Sequence, residues 1–490
     1  MKVHLMLPEN AQAPQNLLIL ARDAAKADLE LNVILDNISK GDKFIRASWL
    51  SALMAPLQDL KLLEYRHNVL DDAIAHPDVI RSLYDLCLEA EKKRKSTVHW
   101  MTNYYLSSTY SGAIQYLINF TETLQKLRQH AEANLSSFRS VGFTTLFNDL
   151  REELPDSYLE KVRSQLTELS NQDGYLVSAR LGSYLQGVDY VLHKREKKLL
   201  NLDFMKAQTY KLTDKDMAAE DISARQDRAI NQVTNALAQS AEHLSSFFDA
   251  LRTELGFYVG CLNFMELMKG YGMPTCIPTL TEKDSDSRSW TELYDIALVF
   301  TKKSAVSGNE LHSEHKMLYL ITGANQGGKS TFLRSLGQAQ LMAQCGMPVA
   351  AKEFTAPLRG SLYTHFKKEE DRYMKSGKLD EELERMSRIA NNIRPGDMLF
   401  LNEAFAATNE REGSEIARQV TEALIQNKVE VFSVSHLHAY STAFRGRDEV
   451  QYLRAQRLDD GRRTFHILPG EPLETAFGED LYKKIFKKQS

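Results

Sequence analysis

The last third of the chain contains a glycine-rich stretch that ends in a lysine and two hydroxyls: Gly323, Ala324, Asn325, Gln326, Gly327, Gly328, Lys329, Ser330, Thr331. The apolar run Met317–Ile321 precedes it and the helical segment Phe332–Leu336 follows it, so the pattern predicts strand, loop and helix. In that context the glycines let backbone wrap an anion, and the N–H groups of the helix N-terminus add positive potential. Lys329 would reach the β- and γ-phosphates of a nucleotide and the Ser330 hydroxyl would ligate Mg2+. A chance glycine-rich turn is the competing reading.

Two further strand ends add to this. Met398–Leu401 is apolar and runs into Asn402-Glu403. An acid at such a strand end can hold a metal-bound water or orient an attacking one. The first of the two positions is normally Asp. With Asn402 a carbonyl can still take a hydrogen bond from a metal-bound water, but one negative charge is lost. Glu403 keeps the place of the general base. Val429–Val434 ends in Ser435-His436, where an imidazole could read a γ-phosphate or serve as a structural histidine.

The elements that must position these groups differ along the chain. The first two-thirds reads as helix: Ala113, Leu117, Phe120, Leu124 and Leu127 share one helical face. From about Ala218 to Lys269 there is no proline, and Ile230, Leu237, Leu244, Leu251, Tyr258 and Met265 recur every seven residues. That pattern suits a bundle core or one long helix packed along another, and about fifty residues would span roughly 75 Å. Between these helices, Tyr175–Leu181 and Val188–Leu192, bracketed by Gly182 and Gly187, read as a β-hairpin. The run His193–Lys198 that follows is a solvated face or a phosphate grip. After Pro274 short apolar strands alternate with helices, the α/β pattern.

With 490 residues the chain calls for about two to four domains. The 61 Lys and Arg nearly cancel the 65 Asp and Glu, for a net charge of −4, which excludes a uniformly basic nucleic-acid coat. Four scattered cysteines (Cys87, Cys261, Cys276, Cys345) form neither a CxxC zinc site nor a disulfide framework and suit a reducing compartment. The start lacks a secretory h-region, and no run of about 18 apolar residues predicts a membrane span. A cytoplasmic location follows as an expectation.

The stretch Thr322–Thr331 resembles the P-loop of the MutS family, T-G-P-N-M-G-G-K-S-T, differing at Ala324 and Gln326. Leu401-Asn402-Glu403 with Ala404–Thr408 and Glu412-Gly413 resembles that family's Walker B strand and the loop after it. Ser435-His436 resembles its T-H switch; Phe465-His466, Pro469-Gly470 and Phe477-Gly478 resemble its closing strands and turn. Trp49-Leu50, Pro56-Leu57, Asp59 and Tyr65-Arg66 resemble, at altered spacing, the start of its core domain. The resemblance implies a multidomain fold: an all-α core and lever region with long helices and a small β-hairpin tip, then an α/β P-loop ATPase domain of ABC type. It places a helical core at 1–110, lever helices at 111–270 with a reduced clamp tip near 170–200, and the ATPase domain at 271–490.

On this resemblance the chain is an ATPase using ATP and Mg2+ and a homodimeric clamp on double-stranded, branched or structured DNA in repair or recombination, with room for a repair-protein partner. Glu403 activates water, His436 reads the γ-phosphate with Asn325 beside it, and Ser330 and, through water, Asn402 hold the metal. The alternative is a nucleotide-gated scaffold with little hydrolysis that acts through a protein partner. Departures from the family favour restraint on mismatch reading and rate. The chain starts at the core domain with no Phe-x-Glu wedge, and the Ser-Thr-Phe signature appears as Gly377-Lys378-Leu379, with Ser376 as a substitute serine. Only a stub, Asp480–Lys488, stands where relatives carry a dimerising appendage. The base-stacking residue is sought near Trp290–Tyr294.

Overall fold

The computed structural model describes residues 2–12, 14, 16, 19–101, 106–170, 176–181, 187–193, 217–285, 287–367, 377–458 and 461–473. By contacts the chain forms two compact units, one of Met1–His4 with His76–Leu255 and one of Leu5–Ala75 with Gly256–Ser490. These cuts differ from the change of texture after Pro274 and from the boundary near 110 that the resemblance implies, because texture reports element type and compactness reports which elements bury each other's faces.

The early part of the second unit supplies α1 (Ile19–Asp28), α2 (Leu31–Ile38), α3 (Lys43–Leu53) and α4 (Leu60–Ala75). On α2 the buried Leu31, Ile34, Leu35 and Ile38 fall on one helical stripe. Asp42 opens α3 by accepting from the N–H groups of Phe44 and Ile45, satisfying donors a helix start leaves unpaired.

The inserted unit is helical except for one hairpin. It contains α5 (Pro77–Met101), α6 (Leu106–Asn134), α7 (Val141–Glu153), α8 (Asp156–Ser170), β1 (Leu176–Leu181), β2 (Gly187–His193) and most of α9 (Met217–Gly270). The stripe Ala113, Leu117, Phe120, Leu124, Leu127 on α6 is buried. The heptad segment is one helix of 54 residues, α9, which at 1.5 Å per residue is about 80 Å long. β1 and β2 pair antiparallel, from Leu176 opposite His193 to Leu181 opposite Gly187. The turn at 182–186 and the basic run at 194–198 lie outside the described residues.

The remainder of the second unit is α/β. It comprises β3 (Thr279–Thr281), β4 (Ser287–Leu293), α10 (Ile296–Lys302), β5 (Asn309–Glu314), β6 (Leu318–Gly323), α11 (Lys329–Gln344), β7 (Glu353–Pro357), β8 (Leu362–Phe366) and α12 (Lys378–Ala390). After these come β9 (Met398–Asn402), α13 (Glu410–Gln426), β10 (Glu430–Val434), α14 (His438–Thr442), β11 (Val450–Arg457) and β12 (Arg463–Pro469). One sheet has the order β12-β11-β6-β10-β9-β8. Its strands are parallel except β12, which turns back along β11. Being covered on both faces, its central strands read as unbroken apolar runs. Tyr319, Phe432 and Phe400 stand side by side across three of them, with ring centroids 4.2 and 5.3 Å apart.

A second sheet, β3-β7-β4-β5, is tied to the first by a buried ion triad. Arg288 of β4 makes a two-pronged contact to the Glu430 carboxylate at 3.1 and 2.7 Å, and Arg359 donates to the same carboxylate at 2.8 Å. All four cysteines are free, three of them buried. Among the described residues no helix is long and apolar enough to cross a membrane.

Candidate functional site

β6, β9 and β10 are adjacent and parallel, so their carboxyl ends open at the same edge of the sheet, where ligands of open α/β sheets gather. β6 leads through the glycine-rich loop into α11. Gly323 and Gly328 hold φ of +112° and +90°, a region costly for a side chain. At Gly327 an added Cβ would lie 2.8 Å from the Ala455 methyl and 2.9 Å from the Ala324 carbonyl oxygen. Lys329, the first residue of α11, is buried and donates to the carbonyls of Gly323 at 3.0 Å and Ala324 at 2.9 Å. Burial pushes its ammonium down to about 8, Arg463 adds to the drop, and Glu403 opposes it.

β9 delivers the next pair. Ser330 donates its hydroxyl proton to Asn402 Oδ1 at 2.9 Å. Glu403 follows with φ of +55°, and its N–H is held by the Val434 carbonyl at 2.9 Å. β10 then brings His436, whose Nε2 lies 2.9 Å from Glu403 Oε1. That hydrogen bond, with Lys367 and Lys329 nearby, holds the Glu403 carboxyl below the usual carboxylate range despite partial burial. An ionised carboxylate only accepts, so the Nε2 proton belongs to the histidine in this pairing.

The structure therefore brings Lys329, Ser330, Asn402, Glu403 and His436 together. Asn325 and Gln326 are exposed on the loop. Arg463 reaches the Asn325 carbonyl at 3.4 Å, Gln326 has φ of +59°, and Thr331 faces an adjacent pocket of about 530 Å³. This pocket also meets Gly328, Leu298, Lys302 and Phe465. Phe465 is 48% exposed and its ring sits 5.8 Å from the Lys302 ammonium. Trp290 is buried against Phe332 instead. Tyr294 lines the pocket but donates its hydroxyl to the Pro274 carbonyl at 2.7 Å.

Phe465 is visible in the sequence only as part of a strand. What gives it a place beside the loop is the antiparallel return of β12, which residue spacing does not encode. Leu379 packs against the buried cluster around Leu399 and Phe405. Ser376 and the segment after 473, with Phe477-Gly478 and Asp480–Lys488, lie outside the described residues.

Three oxygen groups meet beside the loop: the Ser330 hydroxyl, the Asn402 amide carbonyl and the Glu403 carboxylate. That set suits a hard cation such as Mg2+ that keeps waters and borrows phosphate oxygens. Among the described residues no cluster of His, Cys, Asp or Glu would hold a metal unaided.

These features define an α/β domain with an anion-ready loop and a carboxylate at the end of the next strand but one. Two family models match the chain, one over the preceding helical stretch and one over this domain. The model of the MutS2 N-terminal domain matches residues 58–271 and that of MutS domain V matches residues 319–468. The chain belongs to the MutS family. It is similar to the DNA mismatch repair protein MutS of Thermus thermophilus, 27% identical over 184 residues, 37% of this chain and 22% of that protein. It is similar also to the Endonuclease MutS2 of Thermus thermophilus, 26% identical over 169 residues, 34% and 23% of the two chains. To MutS protein homolog 4 of Mus musculus it is 25% identical over 159 residues, 32% and 16%. Each match covers under a quarter of the relative's length.

Proposed function

We propose that the chain is an ATP-dependent DNA-binding protein whose α/β domain binds and hydrolyses ATP with Mg2+. The observation that carries this is the meeting of Lys329, Ser330, Asn402, Glu403 and His436 at three adjacent strand ends. In the proposed cycle Lys329 leaves the Gly323 and Ala324 carbonyls for the β- and γ-phosphates, which restores its full charge. Ser330 and, through water, Asn402 would hold Mg2+, which when bound would neutralise charge on the phosphates. Glu403, kept ionised, accepts a proton from the attacking water. His436 leaves Glu403 for the γ-phosphate, coupling occupancy of the site to release of the base. Phe465, with Lys302 behind it, offers a ring face on which the base stacks.

The boundaries 1–110, 111–270 and 271–490, the homodimeric clamp, the branched or structured duplex as substrate and a repair role belong to the same reading. Of these, the DNA substrate and the repair role are supported by the functions that the relatives' names carry, DNA mismatch repair and endonuclease. A second reading, nucleotide-gated binding with little hydrolysis, is favoured by one observation: the partner of Ser330 is the neutral Asn402. The experiment is ATP binding and turnover for the native chain, Lys329→Ala, Glu403→Gln and Asn402→Asp, joined to anisotropy competition among homoduplex, mismatched duplex and four-way junction. Binding lost in Lys329→Ala and turnover lost in Glu403→Gln with binding kept support an ATPase. Turnover that appears only in Asn402→Asp supports the second reading. Equal affinity for the three DNAs, unaltered by ATP, overturns the structured-DNA clamp.

A further inference from the structure

A second pocket lies away from the glycine-rich loop, at the outer edge of the parallel sheet. It has a volume of about 250 Å³ and is bounded by α1, the edge strand β8 and α12. Ala21, Ala24 and Ala27 leave the space, since these three positions of α1 carry only methyl side chains, with Asp23 and Asp28 beside them; Tyr363 and Ile389 add apolar wall. Small residues alone would make only a dent. A second observation concerns Thr364: it is 3% exposed, lines this pocket, and its hydroxyl oxygen has no hydrogen-bond partner among the described residues. A buried hydroxyl left unpaired is costly to folding, so such groups call for an account.

The charges around the pocket are unequally engaged. On the α1 side, Asp23 lies 3.7 Å from Arg22 and Asp28 has its own interactions. On the α12 side, Arg385 gives one donor to the Phe366 carbonyl at 3.1 Å and also feels the buried Glu382 carboxylate, while Arg388 is exposed. From these features we infer that the pocket binds a small amphipathic anion. Its apolar body lies against the alanines and Ile389, and its carboxylate or similar polar group faces Arg385 and Arg388 with one atom meeting the Thr364 hydroxyl. The volume suits roughly a dozen non-hydrogen atoms. Neither the nucleotide nor DNA is needed for this binding, so it stands apart from the proposed function.

The test uses the full-length chain and three probes that differ in one group, phenylbutyrate, phenylbutyramide and phenylbutylamine, followed by ligand-observed NMR and calorimetry. The carboxylate should bind at millimolar concentration or below, the amide roughly fivefold more weakly and the amine weakest. Ala24→Leu, which fills the space with a good helix former, should abolish binding. Thr364→Val should weaken all three probes about threefold or more. Arg388→Gln, at an exposed position, should bring the carboxylate down to the amide, and it keeps the test decisive if Ala24→Leu misfolds. Failure of the carboxylate to bind the native chain overturns the inference, as does an amine that binds equally well. So does Arg388→Gln leaving the preference for the carboxylate unchanged.

Discussion

At Gly327 a single methyl group is too much: it would be driven against the Ala455 methyl and the Ala324 carbonyl at once. Ala455 is on β11 and Ala324 is in the loop itself, so neither can retreat without moving backbone. Gly327→Ala should therefore lower ATP affinity at least about tenfold by deforming the loop, while circular dichroism melting changes by only a few degrees. Lys329, Ser330, Asn402, Glu403 and His436 were legible in the sequence because each is fixed by its place at a strand end, and strand ends show as breaks in apolar runs. Phe465 and Thr364 were not. The first depends on β12 folding back beside β11, the second on which helix covers the edge strand β8, and neither relation leaves a local pattern.

Elements in this molecule are held by a few buried polar contacts whose loss has predictable sign. Burial would raise the Glu430 carboxyl, but Arg288 and Arg359 hold it below its usual range. Glu430→Ala would leave two guanidinium groups buried without their counter-ion and should destabilise the α/β region by about 3–5 kcal/mol, read from chemical denaturation. On α4, burial and the neighbouring Arg66 lower His67 to about 4, against about 6.5 in an unfolded chain. Between those values the unfolded chain takes up a proton that the folded one refuses. The folded state thus keeps its full stability above pH 6.5 and loses up to about 2–3 kcal/mol as pH falls towards 4. His67→Leu should flatten that part of the stability–pH curve.

A close approach of the same kind fixes α9. A Cβ at Gly260 would sit 2.1 Å from the Trp49 indole nitrogen, which donates to the Phe257 carbonyl at 3.0 Å. Gly260→Ala should cost about 1–3 kcal/mol in a denaturation experiment, although alanine is the better helix former. The long helix itself was readable from an unbroken seven-residue repeat, since periodicity reports helix and little else. The glycine that lets another helix approach it is an ordinary letter in that repeat.

For the molecule as a whole, the two compact units are not consecutive in the chain. One is uninterrupted from His76 to Leu255 apart from its first four residues, and the other has its beginning and end on either side. Sequence texture did not show this, because helix-rich segments look alike whichever partner they bury against. The arrangement sets an order in time. Trp49 finds its carbonyl partner 208 residues later, and buried Arg66 donates to the Cys345 carbonyl 279 residues on. At about 5–20 residues per second on the ribosome, Trp49 waits roughly 10–40 s for its partner to be made. During that interval an entire unit emerges and is free to fold, while Trp49 and the α2 surface that later meets α10 lack their partners. The nascent chain should thus be most open to proteases over one defined window of its synthesis, which closes when α11 leaves the exit tunnel.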